Sequence, residues 1–289
     1  MPTATTELTG LLLVDKPAGI TSHDAVGVVR RITGERRVGH TGTLDPFATG
    51  LLVMLVGRGT RLMPYVEGEP KVYDALIRFG SETTTDDRTG APTRAAPTPT
   101  DAAIAEGIAR LTGAIEQVPP AFSAKQVGGR RAYAAARRGE PLELPPSPIV
   151  VHGWELVARD EETLNVRITC SGGTYVRALA RDLGRLAGSA AHLGALRRLA
   201  SGPFSVEEAV PLDELAAAGA RLRPLRDAIP ALPARRLDPA ELGRVVHGNS
   251  IAARPDDDRV ALVDDEQTLI AVAVRVGDEL RPALVLRDA

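Results

Sequence analysis

Apolar runs of strand length recur along the chain, and most end in a turn that carries glycine or proline. Leu11-Leu-Leu-Val14 runs into Asp15-Lys-Pro-Ala-Gly19, which reads as a strand and a turn. Thr21-Ser-His-Asp24 opens a helix through Val26, Val29 and Ile32, and Gly34 stops it. Leu51-Leu-Val-Met-Leu-Val56 is uninterrupted and fits a buried strand. A glycine turn at 57–60 leads into a short helix over 61–66. Residues 71–79 alternate as a strand does. The stretch 80–90 is polar and turn-like, and the Pro/Thr/Ala-rich segment 91–99 reads as extended. A helix spans 101–111, with Thr100 as cap and Gly113 as stop. Two paired strands, 148–158 and 163–170, flank Arg159-Asp-Glu-Glu162. Ser171-Gly-Gly173 is a second glycine turn that feeds a helix, 192–199 returns to strand or irregular form, and 212–218 is a short helix.

Prolines cluster at 224, 230 and 233, and the composition shifts there. The expected boundary separates a large domain, 1–228, from a small one, 229–289. The small domain holds a helix near 239–246 and strands near 259–264, 268–276 and 281–287, a β-rich module. A chain of 289 residues is long enough for both cores.

Charge modifies this picture. The net charge is −2, but from residue 251 onward there are five Lys/Arg and nine Asp/Glu, a balance of −4. The remainder is therefore +2, so any nucleic-acid surface is a local patch. The segment 119–139 is the strongest candidate: Lys125, Arg130, Arg131, Arg137 and Arg138 stand there with no acid between them. A solvated helix face is the plainer explanation of such a run. The single cysteine, Cys170, excludes an internal disulfide framework and a multi-cysteine zinc site. No apolar run approaches the roughly 20 residues that span a bilayer, and no signal peptide is visible, so a cytoplasmic location is expected.

The chemistry-bearing stretch is Val38-Gly-His-Thr-Gly-Thr-Leu-Asp-Pro-Phe-Ala-Thr-Gly-Leu-Leu52, directly ahead of the apolar run. Its glycines permit sharp turns and close backbone approach. Pro46 removes a donor and pushes Asp45 toward an extended conformation. A lone Asp-Pro usually marks an ordinary turn. Fifteen residues of this composition beside a strand point instead to a site, with Asp45 aimed from the turn and His40, Thr41 and Thr43 beside it.

From Gly39 to Leu52 this stretch closely resembles the catalytic motif of the TruB-type tRNA pseudouridine synthases, and the resemblance covers most of residues 10–215. It implies an α+β fold: a mixed, mostly antiparallel sheet in the catalytic domain, with a small C-terminal β-rich PUA-like domain. It also implies isomerisation of uridine to pseudouridine in the TΨC loop (position 55) of tRNA. Asp45 matches the family's essential aspartate. Tyr73, in Lys71-Val-Tyr73, matches the strand tyrosine that stacks on the target base. Tyr175 and Arg177, in Gly173-Thr-Tyr-Val-Arg177, match a tyrosine and the arginine that pairs with the aspartate. His40 matches the histidine that helps fill the space left by the flipped nucleotide. Asp15-Lys-Pro-Ala-Gly19 matches a first motif, where Lys16 reaches phosphate or simply closes a turn. Ser123-Ala-Lys125 matches part of an RNA-gripping insertion, placed at about 119–146, so Lys125, Arg130 and Arg131 join His40, Thr43, Tyr175 and Lys16 as expected substrate contacts.

The reaction breaks the N1–C1′ bond, turns the uracil and joins C5 to C1′. It needs a nucleophile or proton acceptor and a way to hold the detached base; a flipped base is held by stacking and edge contacts. Three roles stay open for Asp45: attack on C1′, attack on C6, or removal of the 2′ proton. No cofactor and no metal is expected, and no second His or Cys stands at ligand spacing from His40. The expected partner is the TΨC arm of tRNA, met by a monomer with no obligate protein partner and no membrane. A non-catalytic RNA-binding or tRNA-folding module on the same fold is the alternative; binding alone does not require Asp45, Tyr73 and Arg177 together. An aspartyl hydrolase or phosphotransferase would need an Asp-x-Asp pattern or metal cluster that the motif lacks.

Overall fold

The protein is described here by a computed structural model covering residues 8–286 except 124 and 141, and, for Arg131 and 216–218, the backbone alone. The chain divides into two compact units. One comprises residues 45–51 and 68–207; the other takes in the chain up to 44, 52–67 and everything from 208.

The first unit is built on an antiparallel sheet. Its strands run in the order Ala191–Ser201, Lys71–Phe79, Thr163–Cys170, Ser147–Arg159 and Gly113–Gln117. Along Lys71–Phe79 the residues Tyr73, Ala75, Ile77 and Phe79 are buried while their neighbours are more exposed, the period-2 pattern of a strand with one covered face. The helix Val176–Leu186 packs on this sheet, and its Leu179 and Leu183 are fully buried. Gly184 lets it sit close, since a Cβ there would lie 2.6 Å from the Ala191 Cβ.

Several elements differ from expectation, each for a physical reason. The segment read as strand or irregular is a full strand, Ala191–Ser201. Register shifts at Leu193/Ala195 and Arg198/Ala200 interrupt its alternation, as bulges do. The stretch 80–99 contains a hairpin, Ser81–Thr83 with Pro92–Ala95, whose second strand is exposed throughout and so has no apolar period. Gly113 stops one helix but also opens the strand Gly113–Gln117. The Gly128-Gly129 pair joins two short strands, Gln126–Val127 and Arg130–Arg131. Both glycines have positive φ, 57° and 76°, as a tight type I′ hairpin turn requires.

In the second unit, the helix Ser22–Thr33 begins with a capping box made by Thr21 and Asp24 and ends at Gly34 in the left-handed region. Its Val26 and Val29 pack with Leu12 and Val14 of the strand Gly10–Lys16, and with Leu52, Met54, Leu212 and Leu215. Each such side chain contributes about 1.5–3 kcal/mol relative to exposure. The short helix expected after residue 60 is a 3-10 stretch, Gly57–Tyr65, containing Pro64. The strand Thr49–Val56 passes from one unit into the other along the chain.

The C-terminal part is a five-stranded sheet, ordered Ala234–Arg236, Arg259–Val263, Leu269–Val276, Glu279–Val285 and Ile251–Ala252, with the helix Pro239–Val245. Three of these strands were legible as apolar runs. The two edge strands were not, being only three and two residues long. Buried Arg235 is neutralised by Asp257 and Glu241 and donates to the Ala252 carbonyl at 2.9 Å. The architecture is α+β, with mixed and mostly antiparallel sheets and a C-terminal sheet domain.

Candidate active site

Asp45 stands at the start of a tight turn: the Ala48 N–H donates to the Asp45 carbonyl at 3.1 Å, and Phe47 and Ala48 are buried. The preceding residue is fixed separately. The buried Ser22 hydroxyl donates to the Leu44 carbonyl at 3.1 Å and accepts from the Leu44 N–H at 2.9 Å. After the turn, Gly50 lies beside Arg198 in a parallel pairing. Gly50 has φ +103°, and a Cβ there would fall 2.3 Å from the Arg198 carbonyl oxygen. Only glycine satisfies both conditions.

The Asp45 carboxylate meets Arg177. The guanidinium Nη2 donates to Oδ1 at 3.1 Å, and Nε stands 2.9 Å from Oδ2. Arg177 is nearly buried, with 5% of its side chain exposed, while Asp45 keeps 33% and so stays open to a ligand. The guanidinium has further partners: Nη1 donates to the Thr85 carbonyl at 2.9 Å, Nη2 to the Phe122 carbonyl at 3.0 Å, and the Asp87 carboxylate lies 3.5 Å from Nη1. A fork of donors spread over two carboxylates and two carbonyls has little freedom to turn. Asp87 is itself held by the Thr89 N–H at 2.9 Å and by the hydroxyls of Thr85 and Thr89 at 2.8 and 2.6 Å.

Arg177 opens a ladder. Arg177, Arg181 and Arg185 are spaced four apart on the Val176–Leu186 helix and face the 80–90 loop and its hairpin. Arg181 meets Asp86 at 2.8 Å and donates to the Val118 carbonyl at 2.9 Å. Arg185 grips Glu82 through Nε and Nη2, at 2.9 and 2.7 Å. Burial pushes the Asp86 carboxyl up, against the pull of Arg181. Glu82 moves down, chiefly through its hydrogen bond from Arg185.

Tyr73 is buried on the central strand, directly across from Arg198 on one side and Ile168 on the other. Burial pushes its phenol up; Arg198, hydrogen-bonded to it, opposes this, and the Asp45 charge adds to the rise. Tyr175 caps the arginine-bearing helix at its N-terminus. Buried Gln117 clamps its backbone, accepting from the Tyr175 N–H at 2.8 Å and donating to its carbonyl at 3.1 Å. Burial raises the Tyr175 phenol too, and Asp45 again acts in the same direction. Asp45, Tyr73, Tyr175 and Arg177 thus form one constellation within one unit.

The other expected site residues are placed differently. Lys16 is fully buried, and its ammonium donates to the Pro17 and Ile20 carbonyls, both at 2.9 Å. A phosphate would have to displace them, so this lysine closes its turn. His40 is half-buried, paired through its strand with Met54, and Thr43 is exposed. Lys16, His40 and Thr43 belong to the other unit. Lys125 and Arg130 are exposed on the insertion, where Lys125 donates to the Ser147 hydroxyl at 2.9 Å and Arg130 pairs with Glu140 at 2.8 Å. The side chain of Arg131 lies outside the described residues. Arg198 is 2% exposed and donates to the Leu51 carbonyl at 2.7 Å, a core role that supports Tyr73. Sequence reasoning did not single out Asp87, Gln117 or Ser22, each of which has a partner distant in the chain: Arg177, Tyr175 and Leu44. Among the described residues no group of three or more His, Cys, Asp or Glu side chains could hold a metal ion. No helix among them is long and apolar enough to cross a membrane.

A buried arginine clamping a half-open aspartate, with two tyrosines that feel its charge, fits the expected chemistry, and comparison with known proteins agrees. Residues 30–176 match the model of the TruB family pseudouridylate synthase N-terminal domain, and residues 177–241 that of the tRNA pseudouridylate synthase B C-terminal domain. The chain belongs to the TruB family. It is similar to tRNA pseudouridine synthase B of Thermobifida fusca, 46% identical over 96% of this chain and 98% of the relative. The protein of the same name from Mycobacterium tuberculosis strain H37Rv is 44% identical over 97% and 96%. Among solved structures, a chain of an H/ACA RNP bound to a substrate RNA containing 2′-deoxyuridine matches with TM-score 0.72 at 22% identity, over 96% of this chain and 85% of that one. A Cbf5-Nop10-Gar1 complex contains a chain matching at TM-score 0.73, also 22% identical, with the same coverage. At that identity the likeness concerns the fold alone, and it supports the architecture described above.

Proposed function

We propose that this TruB-family chain isomerises uridine to pseudouridine in tRNA, at position 55 of the TΨC loop, using Asp45 on a base flipped out of the RNA. The Asp45–Arg177 pair carries this reading. A nucleophilic carboxylate must be charged and aimed, and a guanidinium fixed by four acceptors does both. Arg177 leaves part of Asp45 exposed, so the ribose or base can reach it.

Tyr73 supplies the aromatic face for the detached uracil, which must stay in place while it turns and presents C5 to C1′. Arg198 and the buried strand hold that ring. Tyr175, fixed by Gln117, borders the same space. His40 and Thr43 contact the RNA from the motif loop, and Lys125, Arg130 and Arg131 bind phosphates from the insertion, whose root touches Arg177 through the Phe122 carbonyl. The net change is an isomerisation, so no atom and no electron enters or leaves. The catalytic domain ends near residue 228, and the acidic PUA-like module follows. The enzyme works as a monomer in the cytoplasm, where its tRNA substrate is, without a protein partner.

The test is mass-spectrometric or tritium-release assay of an unmodified tRNA transcript, with no metal or cofactor added. The native enzyme converts the uridine at position 55. Asp45→Asn abolishes conversion while RNA binding persists; full activity in that variant removes Asp45 from the chemistry.

A further inference from the structure

The insertion presents an aromatic side chain that the constellation around Asp45 does not use. Tyr133 is 44% exposed, in a chain with only four Tyr, four Phe and one Trp. Exposed as it is, the ring is held. Its backbone N–H donates to the Ser123 carbonyl at 3.0 Å. Phe122 meets it edge-on, with centroids 6.2 Å apart and planes at 77°. The guanidinium carbon of Arg137 lies 4.7 Å from its centroid. On the short helix Ala132–Arg137 the small residues Ala132 and Ala135 are buried, while Tyr133 and Arg137, four apart, turn outward together.

A tyrosine whose task is packing hides its ring and keeps only the hydroxyl near water. This one stays 44% exposed, with Phe122 set at a T-shaped angle to it and a cation laid over its ring. Aromatic rings and arginine planes are the surfaces on which unpaired RNA bases stack. The position also fits. Phe122 touches Tyr133 with its ring and Arg177 with its carbonyl, at 3.0 Å, so the ring stands two contacts from the guanidinium that clamps Asp45.

We propose that Tyr133, capped by Arg137 and buttressed by Phe122, is a stacking platform for an unpaired base of the substrate RNA other than the target uridine. The proposal rests on the reading that the insertion grips RNA. It assigns the grip a sequence-tolerant stacking component besides its phosphate contacts. The platform acts in binding, so its loss is read in KM and in Kd, and the rate at saturating RNA is retained.

The experiment uses the full-length enzyme, an unmodified TΨC stem-loop, and a set of the same RNA with one loop position at a time made abasic. Tyr133→Leu, which keeps an apolar contact for Phe122, raises Kd and KM by roughly 5- to 150-fold. Its saturating rate stays within about twofold, and the slope of log Kd against log salt is unchanged because no charge is lost. Tyr133→Phe binds as the native enzyme does. At one abasic position the penalties of the RNA and of Tyr133→Leu fail to add, which identifies the stacked base. Tyr133→Met is read in the same way if Leu lowers the melting temperature. Native affinity in both truncations, or additive penalties at every position, overturns the platform. In that event Lys125→Ala and Arg130→Ala still weaken binding and flatten the salt slope if the insertion grips RNA through charge alone; unchanged affinity in them too overturns the grip itself.

Discussion

Arg177 and Asp45 are 132 residues apart in the chain, yet Nη2 of the one donates to Oδ1 of the other at 3.1 Å. The arginine is the more buried partner and is committed to Thr85, Phe122 and Asp87 as well. It therefore serves as the fixed wall against which the aspartate is set. Arg177→Lys keeps the charge but loses the fork, and a lysine cannot reach both carbonyls and both carboxylates. The single-turnover rate of pseudouridine formation should fall about a hundredfold or more, with RNA affinity within about fivefold of native. A rate near native in Arg177→Lys would mean that charge alone suffices and the fork geometry is incidental.

Gly50 offers a purely steric prediction. A methyl group there would meet Arg198 backbone atoms at 2.3 and 2.7 Å, and φ +103° is unfavourable to any L side chain. Arg198 is also the cross-strand partner of Tyr73. Gly50→Ala should therefore cost about 2–4 kcal/mol of stability, seen as a lowered denaturant midpoint, and should disturb the Tyr73 phenol. Gly27→Ala is the control, because a Cβ there meets nothing within 4 Å and lies on a helix where alanine is favoured.

These residues show what a sequence makes legible. Asp45 could be picked out because its own neighbours mark it: glycines, a following proline and an apolar run. Arg177 could be assigned only by resemblance, since an arginine near a helix start has a plain solvated explanation. Nothing local marks Asp87 or Gln117, because their importance lies in partners 90 and 58 residues away. Gly50 was visible as a glycine, but its cause, the close approach of Arg198, is a tertiary fact. The same holds for the fold. Regular alternation exposed Lys71–Phe79, whereas the bulges of Ala191–Ser201 and the all-exposed strand Pro92–Ala95 hid those strands from any periodicity.

Glu82 sets a pH dependence. Its side chain is 7% exposed, and Arg185 and Arg94 hold its carboxyl below the ordinary 4.5. The stabilisation from this depressed acid is complete above about pH 4.5 and disappears as pH falls through the lower folded value. Asp86 acts in the opposite sense. Burial raises it, so its charge costs stability at neutral pH, and that cost fades as acid protonates it. Glu82→Gln should lower stability at pH 7 by about 1–3 kcal/mol, since both arginines keep partial contact with water. It should also leave the acid limb of a stability-versus-pH curve shallower below pH 4.5. A limb as steep as in the native protein would show that Glu82 does not drive acid unfolding.

Cys170 tests whether the end of its strand stays closed. The thiol is fully buried opposite Lys71 and Val151, and burial pushes it up to about 11. Thiol reagents attack the thiolate, which at pH 8 is roughly one part in a thousand of such a group, and burial blocks access besides. The folded protein should therefore resist an excess of maleimide or disulfide reagent for hours at pH 8 and take up one equivalent at once in denaturant. Cys170→Ala should keep pseudouridine formation while lowering stability by about 1 kcal/mol, the loss expected for removing one buried sulfur-sized group. Rapid labelling of the native protein would instead require the Thr163–Cys170 strand to open locally. That strand pairs directly with the one carrying Tyr73. A labelling rate that slows when RNA is added would then place the opening at the site, and a rate indifferent to RNA would place it at the strand end alone.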